Sequence, residues 1–198
     1  MTDIGTLCVF CGSSDDMDHA YLDAAEAMGR AAATHQIAIV FGGGATGMMG
    51  ALANGALDAG GRVIGVIPEI FNTPTLLHTG LEELHVVESM HARKAMMAEL
   101  ADAFVALPGG FGTLEELFEM LTWMQIGLHS KPIGILNVRN YFKPLMEMIQ
   151  HAQEQGFIYR EHRELMMLSD DPNELITELE NFHLPDGLDR WVHRREKP

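Results

Sequence analysis

A chain of 198 residues, 47% of them hydrophobic and with a mean hydropathy near zero, is long enough to bury a core without disulfides or metals and too apolar to be disordered. Thirteen basic against 28 acidic residues give a formal net charge of −15, which argues against nucleic acid or an anionic membrane as partner, because either needs a basic surface. No apolar run approaches the roughly 18 residues of a membrane span, and the opening MTDIGTLCVF lacks a basic segment and a cleavage site, so the expected location is cytoplasmic.

The first apolar run, TLCVFC (6–11), reads as a strand covered on both faces; it ends in CGSS and leads to a helical pattern over 19–34. IAIVF (37–41) is the second strand, opening through GGGATGMMG into a helix over 46–59. RVIGVI (62–67) follows, then a weaker strand candidate, LHVVE (84–88), and a helix over 89–101. AFVAL (103–107) ends in PGGFGT before a helix over 113–127, and PIGILN (132–137) precedes a helix over 141–155. A second weak strand, LMML (165–168), and a helix over 172–182 complete the pattern. Such alternation predicts an α/β fold: a doubly wound parallel sheet of about six or seven strands with helices on both faces. No repeat or linker divides the chain, so residues 1–184 are expected to form one domain and 185–198 a C-terminal tail.

Cys8 and Cys11 form a CxxC. Within a strand, positions three apart face opposite sides, and the ten histidines supply no second pair of zinc ligands, so both cysteines read as small core residues.

Ligands of an open parallel sheet bind beyond the carboxyl ends of its strands. Three strands end there in small or polar turns: Cys11 to Ser14, Gly42 to Gly50, and Pro108 to Thr113. Each offers N–H groups at a helix start, which together predict a phosphate-bearing ligand. GGGATG matches GxGxxG, but it follows the second strand, and the next strand ends in Ile-Pro-Glu with Glu69 beyond a proline, which argues against NAD. No GxxxxGK[ST] occurs, so a P-loop triphosphate site is excluded.

Between Val63 and Ser130 the only lysine or arginine residues are Arg93 and Lys94. With Ser89 capping their helix, they fall near its N-terminal turns, where cations are mildly disfavoured. Either they form surface ion pairs with Glu88 or Glu99, or Arg93, with or without Lys94, faces a ligand. Thr113 and Glu116 have the spacing of a capping box, and catalysis competes with that reading. The helix bearing them is apolar nearly all round (Leu117, Phe118, Met120, Leu121, Trp123, Met124, Ile126), which predicts a homodimer.

MHARK (Met90 to Lys94) followed by PGGFGTLEE (Pro108 to Glu116) resembles the PGGxGTxxE family that contains the cytokinin riboside 5′-monophosphate phosphoribohydrolases, the Lonely Guy proteins. CVFCGSS, GGGATGMMG, VIGVIPE, LTWMQIGLHSKPIGILN and the EQGFI segment extend the likeness over nearly the whole chain. The resemblance implies a Rossmann-like, usually dimeric protein that hydrolyses the N-glycosidic bond of nucleoside 5′-monophosphates to free base and ribose 5-phosphate, without cofactor or metal. It makes Arg93 and Glu116 the catalytic pair. It places substrate contacts at Gly110, Phe111, Gly112, Thr113, Leu114 and Glu115, at Met90 and Lys94, at Ser14, Gly43, Gly44 and Thr46, and at Thr122 along the helix. The family's older label, lysine decarboxylase, would call for pyridoxal phosphate on a lysine, and Lys94, Lys131, Lys143 and Lys197 show no such setting. A nucleotide sensor or carrier without turnover is the alternative from another class; phosphate capture alone would not require the Arg93 and Glu116 pair.

Overall fold

The computed structural model describes residues 2–186 and 188. Seven strands form one parallel sheet in the order β4-β3-β2-β1-β5-β6-β7. In chain order the elements are β1 (Thr6–Phe10), α1 (His19–Thr34), β2 (Ala38–Phe41), α2 (Gly47–Asp58), β3 (Val63–Pro68), β4 (Glu83–Val87), α3 (Met90–Leu100) and β5 (Ala103–Ala106). Then come α4 (Phe111–Gln125), β6 (Ile133–Leu136), α5 (Lys143–Glu154), a single turn α6 (Arg160–Arg163), β7 (Met166–Ser169) and α7 (Pro172–Glu180). The α/β class and the alternation are those the sequence predicts; among the described α-helices, α6 is the one it does not show.

β2, β3, β5 and β6 are buried along their whole length, which is why they appear in the sequence as unbroken apolar runs. The edge strands β4 and β7 are only partly covered, and their sequence signal is correspondingly weak. Alternation along β1 divides two cores. Leu7, Val9 and Cys11 join the face covered by α1, α2 and α7; Cys8 and Phe10 join the face covered by α3, α4 and α5. The two cysteines are free, buried and on opposite sides of the sheet.

The chain winds from β1 out to β4 at one edge, then returns through α3 to β5, which pairs with the other side of β1. That reversal opens a crevice at the carboxyl ends of β1 and β5, where loops diverge to opposite faces. Asp18 and Ser89 cap α1 and α3 by accepting the backbone N–H groups of Ala20 and Ala92.

α4 starts earlier than predicted. Gly110, in extended conformation, is its N-cap with no side-chain cap, and Phe111 is its first residue. Thr113 is therefore the third helical residue, so the capping box expected from Thr113 and Glu116 does not form. Of the tail expected over 185–198, residues 187 and 189–198 lie outside the described residues; Leu188 packs into the core beneath α4.

α1 and α2 approach so closely that a Cβ at Gly55 would lie 2.2 Å from the Glu26 carbonyl oxygen, and one at Gly29 2.2 Å from that of Leu52. Gly55→Ala will therefore destabilise the fold by about 1–3 kcal/mol in denaturant titration, although alanine is the better helix former by about 1 kcal/mol. A stabilised variant would show that the two helices separate freely.

Candidate active site

A cavity of about 570 Å³ lies beyond the carboxyl ends of β1, β2, β3 and β5. Its floor is Val9, Phe10 and Cys11 at the end of β1; its walls are the glycine loops after β1, β2 and β5. These loops are tied to one another. Gly12 N–H donates to the Pro108 carbonyl at 3.0 Å, Met48 N–H to the Gly12 carbonyl at 3.0 Å, and the Thr46 hydroxyl to the Ser13 carbonyl at 2.8 Å. Gly47 has φ 57°, and a Cβ there would stand 2.3 Å from the Ser14 carbonyl oxygen, so only glycine fits the junction. Past β3, the segment carrying Phe71 and Leu76 crosses the loop after β2: Ala45 N–H donates to the Leu76 carbonyl and His78 N–H to the Gly43 carbonyl.

Arg93 reaches the cavity from α3. Its Nε donates to the Val66 carbonyl at 3.2 Å, and its Nη1 meets Glu116 Oε1 at 3.2 Å. Both side chains are nearly enclosed, at 12% and 9% exposure. The surface pairs with Glu88 or Glu99 allowed by the sequence do not form; the partner is Glu116, 23 positions along the chain. Burial is the main cause that raises the Glu116 carboxyl to a pKa of about 6, with Arg93 pulling the other way.

Lys94, also buried, turns to the far side of the acidic cluster and bridges Glu115 and Glu119, the latter at 3.1 Å. Burial works against its charge; the two carboxylates outweigh that and hold its pKa above the ordinary lysine value. Burial also pushes the Cys8 and Cys11 thiols up, with Glu116 adding to the effect, so neither is a thiolate.

Of the residues the sequence singles out, Arg93, Glu116, Gly110, Phe111, Gly112, Thr113, Glu115, Met90, Gly44 and Thr46 line the cavity. The others do not. Gly43 packs behind the wall, facing Ile67; Ser14 accepts a hydrogen bond from Asp16 N–H; Leu114 packs against the core. Thr122 is exposed, its hydroxyl donating to the Phe118 carbonyl, and lies about 13 Å along α4 from Thr113. Lys94, expected beside the ligand, is a partner of carboxylates instead. Sequence reasoning passed over Met49, Ile67, Phe71 and Leu76, which form the apolar side of the cavity. Met49 stands inside the quoted GGGATGMMG; Phe71 and Leu76 belong to a stretch with no motif.

Gly42 is the seat of the arginine. A Cβ there would be 2.0 Å from the nearer Arg93 nitrogen, and the residue has no left-handed φ that would demand glycine for backbone reasons. Gly42→Ala will therefore leave the backbone in place and displace the guanidinium from Glu116 by an ångström or so, as seen in a crystal structure of the variant. An unmoved Arg93 would show that the cavity has slack.

Residues 49–179 match the family model described as "Possible lysine decarboxylase". The chain is 54% identical to a cytokinin riboside 5′-monophosphate phosphoribohydrolase of Rhodococcoides fascians over 154 residues, covering 77% of this chain and 78% of that protein. It is 44% identical to one of the enzymes of that name in Arabidopsis thaliana over 178 residues, 90% of this chain and 83% of the relative. Among solved structures, the molybdenum cofactor carrier protein of Chlamydomonas reinhardtii superposes with a TM-score of 0.68 at 23% identity, over 90% of this chain and 98% of the other, a likeness of fold alone. With its family model matched over most of its length and with relatives at these identities, the chain belongs to the Lonely Guy family, whose model carries the lysine decarboxylase description.

Proposed function

We propose that the protein hydrolyses the N-glycosidic bond of nucleoside 5′-monophosphates, with adenine or a modified adenine as base, to free base and ribose 5-phosphate. The observation that carries this is the enclosed Arg93–Glu116 pair at 3.2 Å on the wall of a cavity whose neighbouring wall is the start of α4. The relatives' names describe the same reaction on cytokinin riboside 5′-monophosphates.

Breaking an N-ribosidic bond leaves positive charge on the ribose C1′ and moves the bonding electrons to the departing base nitrogen. Water then supplies an oxygen to C1′ and a proton to balance the base. The unpaired N–H groups at the start of α4, with Thr113, take the phosphate. Glu116, one turn further in, faces the ribose and as a carboxylate stabilises the developing cation and orients the water. Arg93 serves as a fixed donor and positive charge toward the base or the sugar hydroxyls. Arg93 and Glu116 neutralise each other in the free protein, and the entry of substrate between them exchanges that partner for the reacting atoms.

Lysine decarboxylation finds no support in the side chains. No described lysine lines the cavity: Lys94 is bound to two carboxylates, and the Lys131 ammonium donates to the Ala98 carbonyl at 2.7 Å. Lys197 lies outside the described residues.

The proposal includes a homodimer and a cytoplasmic place of work. Phe118, Ile126 and Leu128, on and just past α4, are 41%, 38% and 66% exposed, an apolar face suited to a second copy. No described helix is long and apolar enough to cross a membrane. Light scattering should give twice the chain mass, and Phe118→Glu should give monomers; a wild-type monomer at micromolar concentration removes this part of the proposal.

Chromatography of ribose 5-phosphate released from AMP and from N6-modified analogues tests the activity. Arg93→Ala and Glu116→Gln are expected to lower turnover by at least about 100-fold while the proteins stay folded. Because the carboxylate is the working form and its pKa is about 6, wild-type kcat/KM should fall tenfold per unit as pH drops below about 6. Measurable nucleotide binding with no product from any nucleotide would instead leave a sensor or carrier.

A further inference from the structure

The PGG turn is held from outside at two successive carbonyls. Gly12 N–H donates to that of Pro108, and the Tyr141 hydroxyl donates to that of Gly109 at 2.6 Å. In a trans peptide the carbonyl and the N–H point in opposite directions, so fixing the Gly109 carbonyl also fixes the direction of the Gly110 N–H. The Gly109–Gly110 peptide needs such a tether. Glycine flanks it on both sides, which leaves its rotation unrestricted by side chains. Gly110 lines the cavity, and a Cβ built on it would meet nothing within 4 Å, so packing holds the peptide only at its Gly109 end, where a Cβ would stand 2.1 Å from the Thr113 hydroxyl oxygen.

Tyr141 is placed by a strained segment. After β6 the chain turns through Arg139 and Asn140 with φ 51° and 59°, a left-handed conformation that costs non-glycine residues on the order of 1 kcal/mol each. Several contacts hold it there. Arg139 pairs with Asp18 at 2.5 Å, the Asn137 side chain accepts the Phe142 N–H at 2.9 Å, and Phe142 is buried in the core. The Tyr141 ring stands edge-on to Tyr21, centroids 6.1 Å apart. Tyr141 itself lies outside the cavity lining.

We propose that Tyr141 is a positioning residue for the phosphate site: its hydroxyl stops the Gly109–Gly110 peptide from flipping and keeps the Gly110 N–H aimed at the 5′-phosphate. A flipped peptide would turn the Gly109 carbonyl oxygen toward the anion in place of a donor. This rests on the reading that the PGGFGT loop takes the phosphate.

Tyr141→Phe removes only the hydroxyl from a partly exposed ring and leaves its packing on Tyr21. Product inhibition separates the two halves of the site. In the variant, the inhibition constant of ribose 5-phosphate and the KM for AMP should rise about threefold to tenfold, while the inhibition constant of adenine and kcat at saturation stay at wild-type values. An unchanged constant for ribose 5-phosphate overturns the proposal, and so does an equal weakening of adenine, which would mark a general loosening. Wild-type protein that neither hydrolyses AMP nor binds ribose 5-phosphate would remove the functional reading first, and the role of Tyr141 with it.

Discussion

A buried ion pair is a fragile thing on which to build a site, and this one is built on Arg93 and Glu116. Taking two charges out of water costs several kcal/mol each, which their attraction repays only when geometry and further hydrogen bonds are good. The pair here has one such extra bond, from Arg93 Nε to the Val66 carbonyl at the end of β3. Even so, burial keeps the Glu116 pKa near 6 despite the adjacent guanidinium. The balance is close, and that closeness suits chemistry: a carboxylate neither locked to its partner nor relaxed by water is available to stabilise a different cation.

The sheet makes the pairing possible. Arg93 comes from α3, which enters β5, and Glu116 from α4, which leaves it; the chain reversal between β4 and β5 brings both to the carboxyl edge of β1. Gly42, at the end of β2, leaves room for the guanidinium to lie across the backbone. Three non-adjacent segments thus share one small volume, and each contributes something the others lack: space, a cation and a carboxylate.

The fold was legible because the buried strands carry unbroken apolar runs and helical patterns alternate with them. At the cavity the structure brings together most of the residues the sequence singles out, while Ser14, Gly43, Lys94, Leu114 and Thr122 stay outside its lining. Ser89 capped α3 as expected, whereas Thr113 did not cap α4, because Gly110 needs no side chain to begin a helix and the turn closed sooner. Spacing could not distinguish Arg93 from Lys94. Adjacent helical residues point about 100° apart, so one reaches the cavity and the other the outer side of the acidic cluster. Tyr141, Phe71 and Leu76 were invisible for a different reason: they meet the loops only through tertiary structure and sit in no local pattern.

The acidic run in the first turns of α4 bears on the anion site proposed for the same helix end. Glu115, Glu116 and Glu119 together would oppose a phosphate at the N-terminus, since all three lie within about 12 Å of it along the axis. Each is answered by a cation from α3: Arg93 takes Glu116, and Lys94 takes both of the others. Two cations against three carboxylates leave one surplus negative charge in the cluster. Glu115 is the most exposed of the three, and water screens it best. The helix start at Gly110 to Thr113, which lines the cavity, therefore keeps its dipole largely uncancelled, while Glu116, the most enclosed of the three carboxylates, stands a single turn deeper, where the proposed reaction would develop positive charge on the sugar.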